Sequence, residues 1–160
     1  MLTTAQALLI KAAINADPTL SSAPNNSDGA FTIAIALNTI ASPAFVVWKT
    51  KVSIREVGDN FVGTELAGLT TGNQTRLQTV AVYSGEGVNP SLIDRRQFFD
   101  DIFSGAGGVA TRAKLLALWK RNATRAEKAL ATGVGSDASP ATMGYEGDIS
   151  YQDVQQARNS

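Results

Sequence analysis

Thr3-Thr4-Ala5-Gln6-Ala7-Leu8-Leu9-Ile10-Lys11-Ala12-Ala13-Ile14-Asn15-Ala16-Asp17-Pro18 sets the fold class. Thr3 and Gln6 have the spacing of a capping box, in which each side chain satisfies one free main-chain amide at a helix start. Ala5, Leu8, Leu9, Ala12 and Ala13 then recur at helical spacing. Asp17-Pro18 ends the helix, because proline disfavours helical geometry in the residue before it.

The same signals continue along the chain. Residues 18–28 read as a polar loop, and Asp28 as the N-cap of a second helix over about 29–41. Phe31, Ile33, Ile35, Leu37 and Ile40 put apolar groups on several faces of that helix, so a central position is expected. Ser42-Pro43 closes it. Phe45-Val46-Val47-Trp48 fits a strand or a buried connector equally well. Ser53 and Glu56 form another capping box, opening a short helix through about Asn60. The segment 66–72 gives no clear element. A helix near 73–84 carries Leu77, Val80, Ala81 and Tyr83, and Gly85-Glu86-Gly87 breaks it. Asn89-Pro90 starts a helix over 90–104 with Leu92, Phe99, Ile102 and Phe103 as its core stripe.

Gly105-Ala106-Gly107-Gly108 stops that helix, and the next, over about 109–121, turns Leu115, Leu118 and Trp119 to one face. Thr124 and Glu127 could cap a further helix. The glycines at 133, 135, 144 and 147 instead favour a β-hairpin over 127–147 with a long loop around 136–140. Ser150 and Asp153 start a short C-terminal helix or arm. The expected architecture is mainly α: a compact helical bundle over 1–126, then a β-hairpin and extended arm over 127–160 for contacts with partners.

Chemistry is bounded by what is missing. The 160 residues include no histidine and no cysteine. Serine–histidine and cysteine–histidine catalysis therefore cannot be built within one chain, nor can structural zinc or Fe–S sites. Nor is there a disulfide framework of the secreted type. A chain of this length buries roughly 70% of its unfolded surface, enough for one domain with a real core. Charged residues make up only 18% of it, which points to surfaces that meet other protein. The N-terminus has Lys11 inside its apolar stretch and no basic region before it, unlike a signal peptide. No uncharged apolar run reaches the ~20 residues that span a bilayer, so no membrane partner is expected.

Net charge is zero but unevenly spread. Residues 1–111 carry seven basic and nine acidic side chains; residues 112–128 carry Arg112, Lys114, Lys120, Arg121, Arg125 and Lys128 against Glu127 alone; residues 129–160 carry Arg158 against Asp137, Glu146, Asp148 and Asp153. Patches of opposite sign let copies of one chain dock head to tail. The basic stretch itself reads as a solvated face, a phosphate-contacting helix, or a docking face for an acidic partner. Tyr145, Tyr151 and Asp153 are the candidate contact residues of the tail.

Other candidates have plainer readings. Gly105–Gly108 before a helix resembles a phosphate loop only loosely, lacking the GK[ST] ending and a preceding strand. Asp94, Asp100, Asp101 and Glu86 offer oxygen ligands for a divalent cation, but without the loop spacing of an EF-hand. Paired carboxylates could support hydrolysis only across a cleft. Trp48 and Trp119 sit among aliphatic neighbours and read as core. No catalytic, metal-binding or cofactor-binding residue is assigned, and no enzyme activity is expected.

Several strings spread over nearly the whole chain do carry a resemblance. They are Pro24-Asn25-Asn26-Ser27-Asp28-Gly29, Pro43-Ala44-Phe45-Val46-Val47-Trp48, Gly105-Ala106-Gly107-Gly108, Ala123-Thr124-Arg125-Ala126-Glu127-Lys128, Ala131-Thr132-Gly133, Ser139-Pro140-Ala141-Thr142 and Tyr151-Gln152-Asp153-Val154. In overall pattern the chain resembles a family of short proteins encoded among the virion genes of tailed bacteriophages. The resemblance implies a neck component of the virion: a head-to-tail connector or adaptor that forms a ring, of twelve copies if it matches the portal, beneath the portal protein. Such proteins are small helical bundles with an arm or hairpin reaching a neighbour. Implied partners are further copies, the portal, another neck or tail protein, and DNA passing through the lumen. A stopper or tail terminator, or a helical nucleic-acid-binding protein using 112–128, is the alternative.

Overall fold

In a computed structural model, residues 1–85 and 87–160 are described. Glu86, part of the expected Gly85-Glu86-Gly87 break and of the acidic group, lies outside the described residues. The elements are α1 (Thr4–Ala16), α2 (Pro18–Ser21), α3 (Ser27–Leu37), β1 (Val46–Trp48), α4 (Ile54–Asp59), α5 (Gly63–Ala67), α6 (Thr71–Tyr83), α7 (Ile93–Ile102), α8 (Val109–Leu118), β2 (Lys120–Asn122), α9 (Arg125–Leu130), β3 (Ala131–Thr132), β4 (Thr142–Met143) and α10 (Tyr151–Asn159). The fold is mainly α with a C-terminal hairpin, as expected. β1 pairs with β2, and β3 pairs with β4 in antiparallel register, Ala131 opposite Met143.

The chain forms two compact units: unit 1 is residues 1–47 with 122–160, and unit 2 is residues 48–121. It leaves unit 1 along β1 and re-enters along β2. This division does not coincide with the expected one at residue 126, because the tail packs with the first 47 residues.

Unit 1 is built around α1, α3, α9 and α10. Ala7, Ile10 and Ile14 of α1, Ile33 and Leu37 of α3, Leu130 of α9, and Val154 and Ala157 of α10 share one core with Leu2, Leu20 and Ile149. Burying each large aliphatic side chain contributes about 1.5–3 kcal/mol. The tail is therefore no extended arm. Its last helix lies against α1 and α3, and its glycines fall in the hairpin loop (Gly133, Gly135) and in the turns between β4 and α10 (Gly144, Gly147). Asn38 fixes that arrangement: its Nδ2 donates to the Ile149 carbonyl and its Oδ1 accepts from the Ile149 amide, each over 3.0 Å. At the hairpin, Gly135 is obligatory, since its φ is +70° and a Cβ there would fall 2.1 Å from the Phe45 ring.

Unit 2 gathers Val52, Val57, Val88, Phe99, Leu115 and Trp119. The Phe99 and Trp119 rings meet edge-on at 5.6 Å. Val52 and Val88 exchange main-chain hydrogen bonds of 2.9 and 2.8 Å, which closes the unit where α4 begins.

Four expectations change at the level of local structure. The buried face of α1 is Ala7, Ile10 and Ile14, while Ala5, Leu8, Leu9 and Ala12 face solvent. The helix is apolar almost all round, so periodicity alone did not select the face. Helix α3 is capped by Asn26, whose Oδ1 accepts from the Gly29 amide over 2.9 Å, and Asp28 falls in its first turn. It is not fully enclosed either: Phe31 and Ile35 are exposed. Asn89 accepts from the Ser91 amide in a local turn, so α7 starts at Ile93 and Leu92 stays exposed. Finally, the Thr124–Glu127 capping box does form a helix, α9, which shortens the hairpin to β3 and β4.

Candidate functional site

The basic segment is divided between the two units: 112–121 belongs to unit 2 and 122–128 to unit 1. On α8, Arg112 Nη1 donates to the carbonyls of Phe103 and, over 3.1 Å, Gly105. It thus satisfies acceptors left free where α7 ends. Lys114, two residues on, is exposed. Lys120 and Arg121 lie on β2, half-buried. Arg125, in the first turn of α9, meets Asp17 at 2.5 Å. That guanidinium holds the Asp17 carboxyl below its usual range. Lys128 is exposed, its ammonium 5.6 Å above the Phe45 ring.

The tail candidates are largely structural. Tyr145 donates its hydroxyl to the Asp148 carbonyl over 2.8 Å, and burial beside Asp153, Asp148 and Glu127 pushes its phenol up. Tyr151 stacks on Phe31 with ring centres 4.2 Å apart. Asp153 is only 5% exposed. Burial opposes its charge, but bonds from the Ser150 hydroxyl, the Ser150 and Leu2 amides, and the N-terminal ammonium outweigh that and lower its pKa.

The glycine-rich entry to α8 is already filled. Glu65 accepts from the Ala110 and Thr111 amides over 3.0 and 2.7 Å, placing a carboxylate where a phosphate would sit. Asp94, Asp100 and Asp101 are exposed along α7, and among the described residues no three carboxylates converge as a metal site. Among them, too, no helix is long and apolar enough to cross a membrane.

What sequence reading missed is the apolar surface of unit 1. Ala5, Leu8, Leu9, Ala12 and Ala16 form one stripe along α1 open to solvent, with Leu8 51% and Leu9 50% exposed. On α3, Phe31 is 49% and Ile35 69% exposed, one helical turn apart. The signal was present in the excess of apolar residues over what one buried stripe needs. Unit 2 contributes a different feature, a cavity of about 580 Å³ between α4, α5, α6 and α7. Its walls include Ile54, Val57, Phe61, Leu66, Leu77 and Phe99, with Gln74 and Gln78 as polar members of the lining.

No family model, curated protein or solved structure matches the chain.

Proposed function

We propose that the chain is a structural subunit of a tailed-phage neck, a head-to-tail connector that assembles as a ring beneath the portal and joins capsid to tail. The observation that supports this most is the exposed α1 stripe. A helix packed on a monomeric core carries charge on its outer face, whereas α1 presents Ala5, Leu8, Leu9, Ala12 and Ala16 there. In a ring each copy meets the next through two different surfaces, so an apolar stripe on one side fits such a contact.

The test is to locate the chain in purified particles by mass spectrometry and cryo-electron microscopy. The expected result is a ring of copies between portal and tail; absence from the particle overturns the proposal. A second reading, backbone contact with nucleic acid, rests on the exposed Lys114 and Lys128. It requires affinity for duplex DNA that falls steeply with salt.

A further inference from the structure

Helix α5 is fastened by polar bonds rather than by packing. None of its residues, Gly63–Ala67, is buried, and its N-cap, Val62, offers no side-chain hydrogen bond. What holds it is the first turn of α8. Glu65 takes the Ala110 and Thr111 amides over 3.0 and 2.7 Å, and the Val62 amide donates to Thr111 Oγ1 over 3.1 Å. Gly63, Leu66 and Ala67 meanwhile form one wall of the apolar cavity of unit 2.

Gly58, inside α4, and Gly63, the first residue of α5, stand where sterics do not require glycine. At Gly58 and Gly63 an added Cβ would meet nothing within 4 Å, and neither residue has positive φ. Glycine there has no clash to avoid and no unusual dihedral to permit. Its effect is to leave the backbone freer than alanine would.

We propose that α5 is a latched lid along one wall of the unit 2 cavity, held in place by the Glu65 carboxylate on the amides of Ala110 and Thr111, and that its release widens the cavity. Breaking the clip frees 63–68 without exposing a buried side chain of α5, so opening is a local event and not unfolding of the unit. The opened cavity offers Val57, Leu77 and Phe99 to an uncharged apolar ligand, with Gln74 and Gln78 to orient it. A carboxylate at a helix N-terminus is a favourable but solvent-accessible contact, which suits a latch that must both hold and release. The lid is independent of the neck reading, and either can fail without the other.

The test uses the full chain and three variants: Glu65→Ala, which removes the carboxylate from the clip, Thr111→Val, which removes the hydroxyl that anchors the Val62 amide beside it, and Gly63→Ala, which stiffens the lid. Hydrogen exchange is followed by mass spectrometry, and Nile red serves as the apolar probe. Both clip variants should speed exchange across 63–69 about fivefold or more and increase Nile red uptake, with α4, α7 and α8 as protected as before. Gly63→Ala should do the opposite. Unchanged exchange across 63–69 in Glu65→Ala overturns the proposal. So does loss of protection throughout unit 2, which would make the clip part of the fold. So does dye uptake that fails to follow lid exchange across the variants.

Discussion

The main-chain amide of Leu2 donates to Asp153 Oδ1 over 3.0 Å, joining residues 151 positions apart in sequence. The Leu2 carbonyl in turn accepts from Gln156 Nε2, also over 3.0 Å. Both polar groups of one N-terminal residue are thus taken by α10. The same carboxylate accepts from the Ser150 amide and hydroxyl over 2.9 and 2.7 Å. One side chain therefore caps the last helix and secures the first.

Asp153→Asn should accordingly destabilise unit 1 by about 1–3 kcal/mol, since an amide keeps only one acceptor oxygen and loses the attraction of the N-terminal ammonium. Ser150→Ala, which removes the cap alone, should cost about 1 kcal/mol. Urea denaturation followed by helical circular dichroism reads both. Equal losses in the two variants would mean that the tie to Leu2 contributes nothing.

Stability should fall in acid, and the sign follows from the two carboxyls. Asp17 and Asp153 both have pKa values below the ordinary 3.8. A lowered folded pKa gives stability that is complete above the unfolded value and is lost as pH falls through the folded value. The denaturation midpoint should hold steady near about pH 6 and drop by about pH 3. Asp153→Asn should flatten that drop, and an equally steep drop would assign it to other groups.

Removing residues 149–160 should unfold unit 1. The deletion takes Ile149, Val154 and Ala157 out of its core and leaves Ile10, Ile14, Ile33 and Leu37 without their covering. Each lost aliphatic contact with its cavity costs on the order of 2 kcal/mol, and single domains have only about 5–15 kcal/mol to lose. Hydrogen exchange over α1 and α3 should become fast. Retained protection there would show that the tail is an appendage after all.

Leu8→Glu should leave folding almost untouched, within about 0.5 kcal/mol, because the side chain is half in solvent. Under the proposed neck role, incorporation of the variant into particles should fall sharply. A virion carrying the variant at full occupancy would remove α1 from the assembly surface.

Local chemistry was the most legible part of this sequence. The pairs Thr3–Gln6, Ser53–Glu56, Thr124–Glu127 and Ser150–Asp153 all form capping boxes, because a cap depends on residues three apart. The face that each helix buries was less legible. In α1 and α3, alanine, leucine and isoleucine occupy nearly every side, and only tertiary packing, against α10, α9 and α2, selects Ala7, Ile10 and Ile14 over Ala5, Leu8 and Leu9. The basic segment misled for a related reason. Charge counts along the chain cannot show that Arg112 turns to the Phe103 carbonyl and Arg125 to Asp17, nor that the chain changes units between them. The Glu65 clip was beyond reach because its partners lie 45 and 46 residues away.

The path of the chain through its two units has a consequence for synthesis. Residues 48–121 are contiguous, so every contact within that segment is possible once it has cleared the ribosome. Unit 1 is split around it, and its core lacks Val154 and Ala157 until α10 has emerged. During translation the inner segment matures first, while α1 and α3 wait with their apolar sides open. Residues 1–47, made before the inner segment, are completed after it.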